Sequence, residues 1–141
     1  MNLIEKSLQI ALRAYSGKTD KAGREYILHP LRVMAKMHTE FEMSAALLHD
    51  VIEDSEITAE QLLAEGIPAE VVEAVQFLSK NEGEEYQDFV IRAKKNKLAA
   101  KVKIADIEDN IDVLRLQSLD DYDLARIKKY HSAWHLLHET I

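Results

Sequence analysis

The chain has 141 residues, about one domain's worth, and 47% of them are hydrophobic, enough for one sizeable core. Four glycines, two prolines and no cysteine argue against a strand-rich fold, exclude a disulfide scaffold and thiolate metal sites, and fit a reducing compartment. The formal net charge of −7 is the wrong sign for a protein that chiefly grips a nucleic-acid backbone.

The charge is unevenly spread. Residues 1–36 carry 7 Lys/Arg against 3 Asp/Glu, residues 40–88 carry 1 against 14, and residues 89–141 carry 10 against 8. An acidic protein of this kind can still take a small phosphorylated ligand through a local cationic patch or a metal ion. No apolar run approaches the ~20 residues that span a bilayer. Met1 leads straight into an amphipathic pattern with no signal-peptide character. The expectation is a soluble, cytoplasmic, single domain over residues 1–141, with no membrane and no nucleic-acid partner; its oligomeric state is left open.

The periodicity predicts helices throughout. Leu3, Ile4, Leu8, Ala11, Leu12 and Tyr15 recur at helical spacing, and Gly17 marks a stop. Residues 17–28 read as a charged loop. Pro30 suits the first position of a short helix with Leu31, Val33, Met34 and Met37. A helix from about Glu40 to Ile52 is apolar nearly all round and belongs in the middle of a bundle. Thr58 with Gln61 forms a capping box before Leu62, Gly66 ends that helix, and Pro68 opens another. Three more helices are predicted: Tyr86 to about Asn96, Leu98 to about Leu116, and Asp121 to the chain end. The fold class is all-α, a compact irregular bundle.

The central apolar helix ends in His49-Asp50-Val51-Ile52-Glu53-Asp54. As one continuous helix, it stacks His49 on Glu53 and Asp50 on Asp54. Burying such groups without partners is costly, and a bound cation removes that cost for His49 and Asp50. Acidic groups at a helix C-terminus are also disfavoured by the helix dipole. Two other segments place similar groups in apolar surroundings. His29 follows Ile27 and Leu28, and Asp106 lies in Lys103-Ile104-Ala105-Asp106, with Asn110 one turn later. Two imidazoles and two carboxylates without thiolates suit Mn, Fe, Zn or Mg.

Three ordered segments resemble the HD-domain metal-dependent phosphohydrolases, and more narrowly the hydrolase domain of the RelA/SpoT family and its stand-alone alarmone hydrolases. These are Gly17 to Pro30 with Tyr26-x-x-His29-Pro30, Ala45 to Asp54 with His49-Asp50-x-x-Glu53-Asp54, and Val102 to Asp106 with Asn110. The resemblance implies an HD-type bundle. It implies that His29, His49, Asp50 and Asp106 hold a metal, typically Mn2+, with Mg2+, Zn2+ or Fe2+ as alternatives. It implies that Glu53 and Asp54 are the acidic pair beside the attacking water. Asn110 and Lys21 fall at substrate-contacting positions. The implied reaction is removal of the 3′-pyrophosphate from (p)ppGpp. Another nucleotide or phosphoester, or nucleotide binding without turnover, are the alternatives.

Lys18, Lys21, Arg24 and Arg32 are candidates for holding the remaining phosphates through charge-assisted hydrogen bonds. Asp20 stands where relatives often have arginine, so an acid there is expected to weaken phosphate or guanine-side contacts. His131, His135 and His138 share one face of the last helix as a rival cluster. Surface histidines are the plainer reading of that group.

Overall fold

The computed structural model describes residues 1–139. Among them the chain forms helices α1 (Leu3–Tyr15), α2 (Leu28–Ala35), α3 (Glu40–Leu48), α4 (Val51–Asp54), α5 (Ala59–Ala64), α6 (Ala69–Phe77), α7 (Tyr86–Lys94), α8 (Lys97–Asn110) and α9 (Asp121–His138). A single 3-10 turn, Val113–Arg115, separates α8 from α9. No strand occurs among the described residues, only an isolated bridge between Thr19 and Glu25. The all-α expectation stands.

Helix α3 is the hub. Its residues Ser44 to Leu48 are fully buried, and it packs against α1, α2, α6 and α8. It starts with a capping box, in which Thr39 accepts from Glu42 N and the Glu42 carboxylate accepts from Thr39 N. Lys101 on α8 donates to the other oxygen of Glu42 at 3.0 Å, tying this start to the opposite helix. Where α1 crosses α3, the hydroxyls of Ser7 and Ser44 pair at 2.6 Å inside the core. Small residues there let the two backbones approach.

A second apolar cluster lies beneath α9, formed by Val90, Ile107, Tyr130, Ala133 and Leu137. Helix α9 therefore rests on α7 and α8 rather than on the hub. Its start is secured by a capping box between Asp120 and Asp123.

Several boundaries differ from the sequence expectation. The helix expected over Glu40 to Ile52 is broken at His49–Asp50, where Asp50 adopts φ −103° and ψ 2°, outside helical geometry. Pro30 sits third in α2 instead of first. The first-turn amides have no intrahelical acceptors in any case, so its missing N–H costs nothing there. The helix expected to run to Leu116 ends at Asn110, because Arg115 turns back to donate to the Asp109 carbonyl at 2.6 Å. The predicted run of the last helix to the chain end extends beyond the described residues. Gly66, at φ +94°, occupies a conformation that favours glycine and ends α5 as expected.

The buried Ser7–Ser44 pair makes a testable case. Ser7→Ala strands the Ser44 hydroxyl and should cost about 1–3 kcal/mol. The Ser7→Ala/Ser44→Ala double variant should cost clearly less than the sum of the single changes, as read by urea unfolding.

Candidate metal centre

The break after α3 decides the geometry of the site. His49 caps α3 and Asp50 precedes α4, so the two side chains leave adjacent backbone positions at a bend. The first turn of α2 brings His29 to the same point, and the middle of α8 brings Asp106. Ligand atoms of His29, His49 and Asp50 all lie within 4.8 Å of one another. Asp106 joins them through one oxygen, 2.8 Å from His29 Nε2 and 3.4 Å from His49 Nε2.

Each ring is held from behind. His49 Nδ1 donates to the Ala46 carbonyl at 2.6 Å, and His29 Nδ1 contacts the Asp109 carboxylate at 2.6 Å. Ligating histidines typically engage their second nitrogen in this way. His49 Nε2 is buried and makes no well-formed hydrogen bond, though Asp50 Oδ2 is 3.1 Å away. A buried ring nitrogen facing two carboxylates without a bond of its own fits a site that would hold a cation. The donor set of imidazole and carboxylate suits a divalent first-row ion or Mg2+.

The electrostatics point the same way. Burial works against a charged His49, but the Asp50 and Asp106 charges overcome it and push its pKa well up. His29 is likewise raised by Asp106 and Asp109 against the opposing effect of burial. Burial would raise the pKa of Asp106, yet Lys103 and His49 hold it well below the usual carboxylate range. Asp50 is lowered too, by His49 against burial. The interior carboxylates stay ionised and call for positive charge at their centre.

Lys103 answers part of that call. Its side chain is 9% exposed, and its ammonium lies 2.9 Å from Asp106 and 4.9 Å from the centre of the Phe89 ring. Tyr26 donates to Asp50 Oδ2 at 2.5 Å, and burial together with the Asp50 charge keeps its phenol protonated. Asn110 donates to Asp106 at 3.0 Å.

The centre opens into a cavity of about 470 Å³. Glu53 and Asp54 on α4 line it beside Asp50, and Asn110, Lys21 and Arg32 line it as well. Loss of solvent and the neighbouring Asp50 and Glu53 charges raise the Asp54 pKa to about 6. Glu53 accepts from the Lys80 backbone N–H at 2.7 Å.

Not every candidate converges. Lys18 donates to the Asp54 carbonyl from outside the cavity wall, and Arg24 lines a neighbouring groove. Asp20 lines the cavity, but one of its oxygens accepts the backbone N–H groups of Ala22 and Arg24, each at 2.9 Å. It therefore shapes the loop that carries Lys21. Arg32 is committed to Asp109 at 2.7 Å. On α9, His138 bonds the Trp134 carbonyl, and the described residues show no three-ligand group around His131 and His135.

The sequence reading missed the far wall. Arg126, Lys129 and Tyr130 of α9 line the cavity, with Lys80 and Arg115 at its sides. Lys129 is crowded by burial and by other cations, Arg126 and Lys103 foremost, which lower its pKa. A cationic wall thus faces an acidic centre, and among the described residues Arg126 and Lys129 form no ion pair.

Comparison with known proteins supplies the rest. No family model matches the chain. It is 33% identical over 125 residues to a guanosine-3′,5′-bis(diphosphate) 3′-pyrophosphohydrolase of Vibrio cholerae, covering 79% of this chain and 18% of that protein. It is 40% identical over 84 residues to the bifunctional (p)ppGpp synthase/hydrolase SpoT of Escherichia coli, covering 55% of this chain and 12% of that one. The chain is an HD-type domain of the RelA/SpoT kind. It spans about a fifth of the length of the Vibrio relative, 18%. A solved structure described as a metazoan ortholog of SpoT that hydrolyzes ppGpp superposes with a TM-score of 0.76, at 23% identity, over 99% of this chain and 88% of that one. That likeness shows that the two chains share a fold.

The buried Lys103–Asp106 pair yields a prediction. Lys103→Met leaves Asp106 charged without its buried partner and should cost about 3–5 kcal/mol, read by chemical denaturation.

Proposed function

We propose that this HD-type domain is a divalent-metal-dependent pyrophosphohydrolase that removes the 3′-pyrophosphate of (p)ppGpp, leaving GDP or GTP. The observation that carries the reading is the convergence of His29, His49, Asp50 and Asp106, drawn from three distant segments, at the floor of a cavity whose opposite wall is cationic. The names of the Vibrio and Escherichia relatives support the substrate.

In this reading His29, His49, Asp50 and Asp106 hold the ion, with Mn2+ the family's usual choice. A bound divalent ion supplies Lewis acidity toward the phosphoryl oxygens and lowers the pKa of coordinated water toward roughly 7. The protein's own groups do the rest. Glu53 and Asp54 stand beside Asp50 where they orient the attacking water and manage its proton. Water adds at the phosphorus joined to the 3′ oxygen. That P–O bond breaks, and the 3′ oxygen leaves with a proton. Asp54, with its pKa near 6, is suited to exchanging that proton near neutral pH.

Lys21, Arg126, Lys129 and Lys80 hold phosphate oxygens by charge-assisted hydrogen bonds and offset the charge that accumulates during the reaction. Asn110 serves as a substrate contact beside Asp106. Lys18 and Arg24, more distant, act on the approach of the anion through their charge. The same reading places the domain in the cytoplasm, acting on a small phosphorylated nucleotide.

The deciding experiment measures pyrophosphate release from ppGpp with and without Mn2+, beside Asp50→Ala. Release that requires both the metal and Asp50 establishes the proposal. A Mn2+-binding protein that leaves ppGpp intact overturns the substrate assignment and directs attention to other phosphoesters. Glu53→Ala should retain the metal but lower kcat by about 10²–10⁴-fold. Lys129→Ala should raise KM more than it lowers kcat, as measured by steady-state kinetics.

A further inference from the structure

Behind the metal centre lies a buried acid that the proposed chemistry does not use. Asp109 is 5% exposed, one turn along α8 from Asp106. Its carboxylate is saturated by donors. Oδ2 faces His29 Nδ1 at 2.6 Å and Arg32 Nη2 at 3.0 Å, and Oδ1 accepts Arg32 Nε at 2.7 Å. Arg115 approaches Oδ1 at 3.5 Å and donates to the Asp109 backbone carbonyl at 2.6 Å. Asp109 lies on the Nδ1 side of the His29 ring, whereas Asp106 Oδ1 lies against the Nε2 atoms of both His29 and His49.

We propose that Asp109, held by Arg32, is a positioning residue that fixes the His29 ring with Nδ1 as donor and Nε2 directed at the cation site, and so sets the affinity of this domain for its divalent ion. The inference rests on the reading of His29, His49, Asp50 and Asp106 as that site.

The logic is geometric. A neutral imidazole carries one proton, and the nitrogen that donates leaves the other as the ligand. His29 Nε2 already lies 2.8 Å from Asp106 Oδ1. Two carboxylates on opposite sides of one ring would compete for its proton if both were equally free. Arg32 sets the direction of one of them. Its fork grips both oxygens of Asp109 and fixes the carboxylate plane. Lys103 and Asn110 instead hold Asp106 from the side. His29 is therefore anchored from behind through a chain of three side chains, Arg32, Asp109 and His29. His49 uses only a backbone carbonyl for the same purpose. Of the two rings, His29 alone has an anchor that a side-chain substitution can remove.

The test is Mn2+ affinity by titration calorimetry on the folded full chain, with melting of the metal-free protein recorded in parallel. Asp109→Ala should weaken Mn2+ binding about 10–100-fold. In the Zn2+-loaded protein, 15N shifts should show His29 Nδ1 protonated in the wild type and lose that pattern in the variant. Arg32→Ala keeps the Asp109–His29 contact but frees the carboxylate, and should give a smaller loss in the same direction. A purely structural role would lower the melting temperature while leaving the Kd of the folded molecules unchanged. A folded Asp109→Ala with wild-type Kd therefore overturns the proposal. If Asp109→Ala fails to fold, a wild-type Kd for Arg32→Ala overturns it. Absence of Mn2+ binding by the wild type, or its persistence in His49→Ala, overturns the metal reading beneath it, and the two failures are thereby told apart.

Discussion

The structure depends on keeping ionised carboxylates inside a helical bundle. Asp106 and Asp109 sit on α8 in the interior, and Asp50 stands at the break between α3 and α4. A bare buried charge is prohibitive. Each of these acids is accordingly met by a cation or a donor: Lys103 and Asn110 at Asp106, Arg32 and His29 at Asp109, Tyr26 at Asp50. Much of the polar interior follows from that requirement.

The compensation is incomplete at one place. His49 Nε2 makes no well-formed hydrogen bond, although oxygens of Asp50 and Asp106 converge on it at 3.1 and 3.4 Å. Stability alone would favour apolar residues here, because replacing buried ion pairs by well-packed hydrophobic groups is often neutral or better. Retaining such a cluster in the core makes sense as provision for a ligand with positive charge. The cationic wall of α9 faces this centre from across the cavity.

The sequence made the centre legible because its groups interrupt apolar runs. His49-Asp50 follows Leu47-Leu48, and Asp106 follows Ile104-Ala105, so their burial could be inferred from their neighbours. The bend at Asp50 carries no glycine or proline, and a reading by periodicity ran the helix straight through it. Asp109 was hidden for a different reason. Glu108, Asp109 and Asp112 look alike as a solvated acidic face, and only the arrival of α2 singles out the middle one. Arg126 and Lys129 lie far along the chain from the last motif, and their place in the wall depends on how α9 docks on α7 and α8. Propensity and pattern carry no information about that docking. Conversely, Lys18 and Arg24 are close to the motif in sequence, but the turn built on Asp20 carries them away from the cavity.

The separation of the site residues along the chain has a thermodynamic consequence. His29 meets Asp106 across 77 positions and Asp109 across 80. No local fragment can hold these groups together, so the unfolded chain offers no comparable site. A ligand that recognises only the native arrangement shifts the folding equilibrium by RT ln(1 + [L]/Kd), about 2.7 kcal/mol when its free concentration is 100 times Kd. Against a typical domain stability of about 5–15 kcal/mol, that is a substantial share. Occupancy of such a native-only site and the population of the folded chain would therefore rise and fall together, so a ligand held there would act as a part of the fold as much as a part of the chemistry.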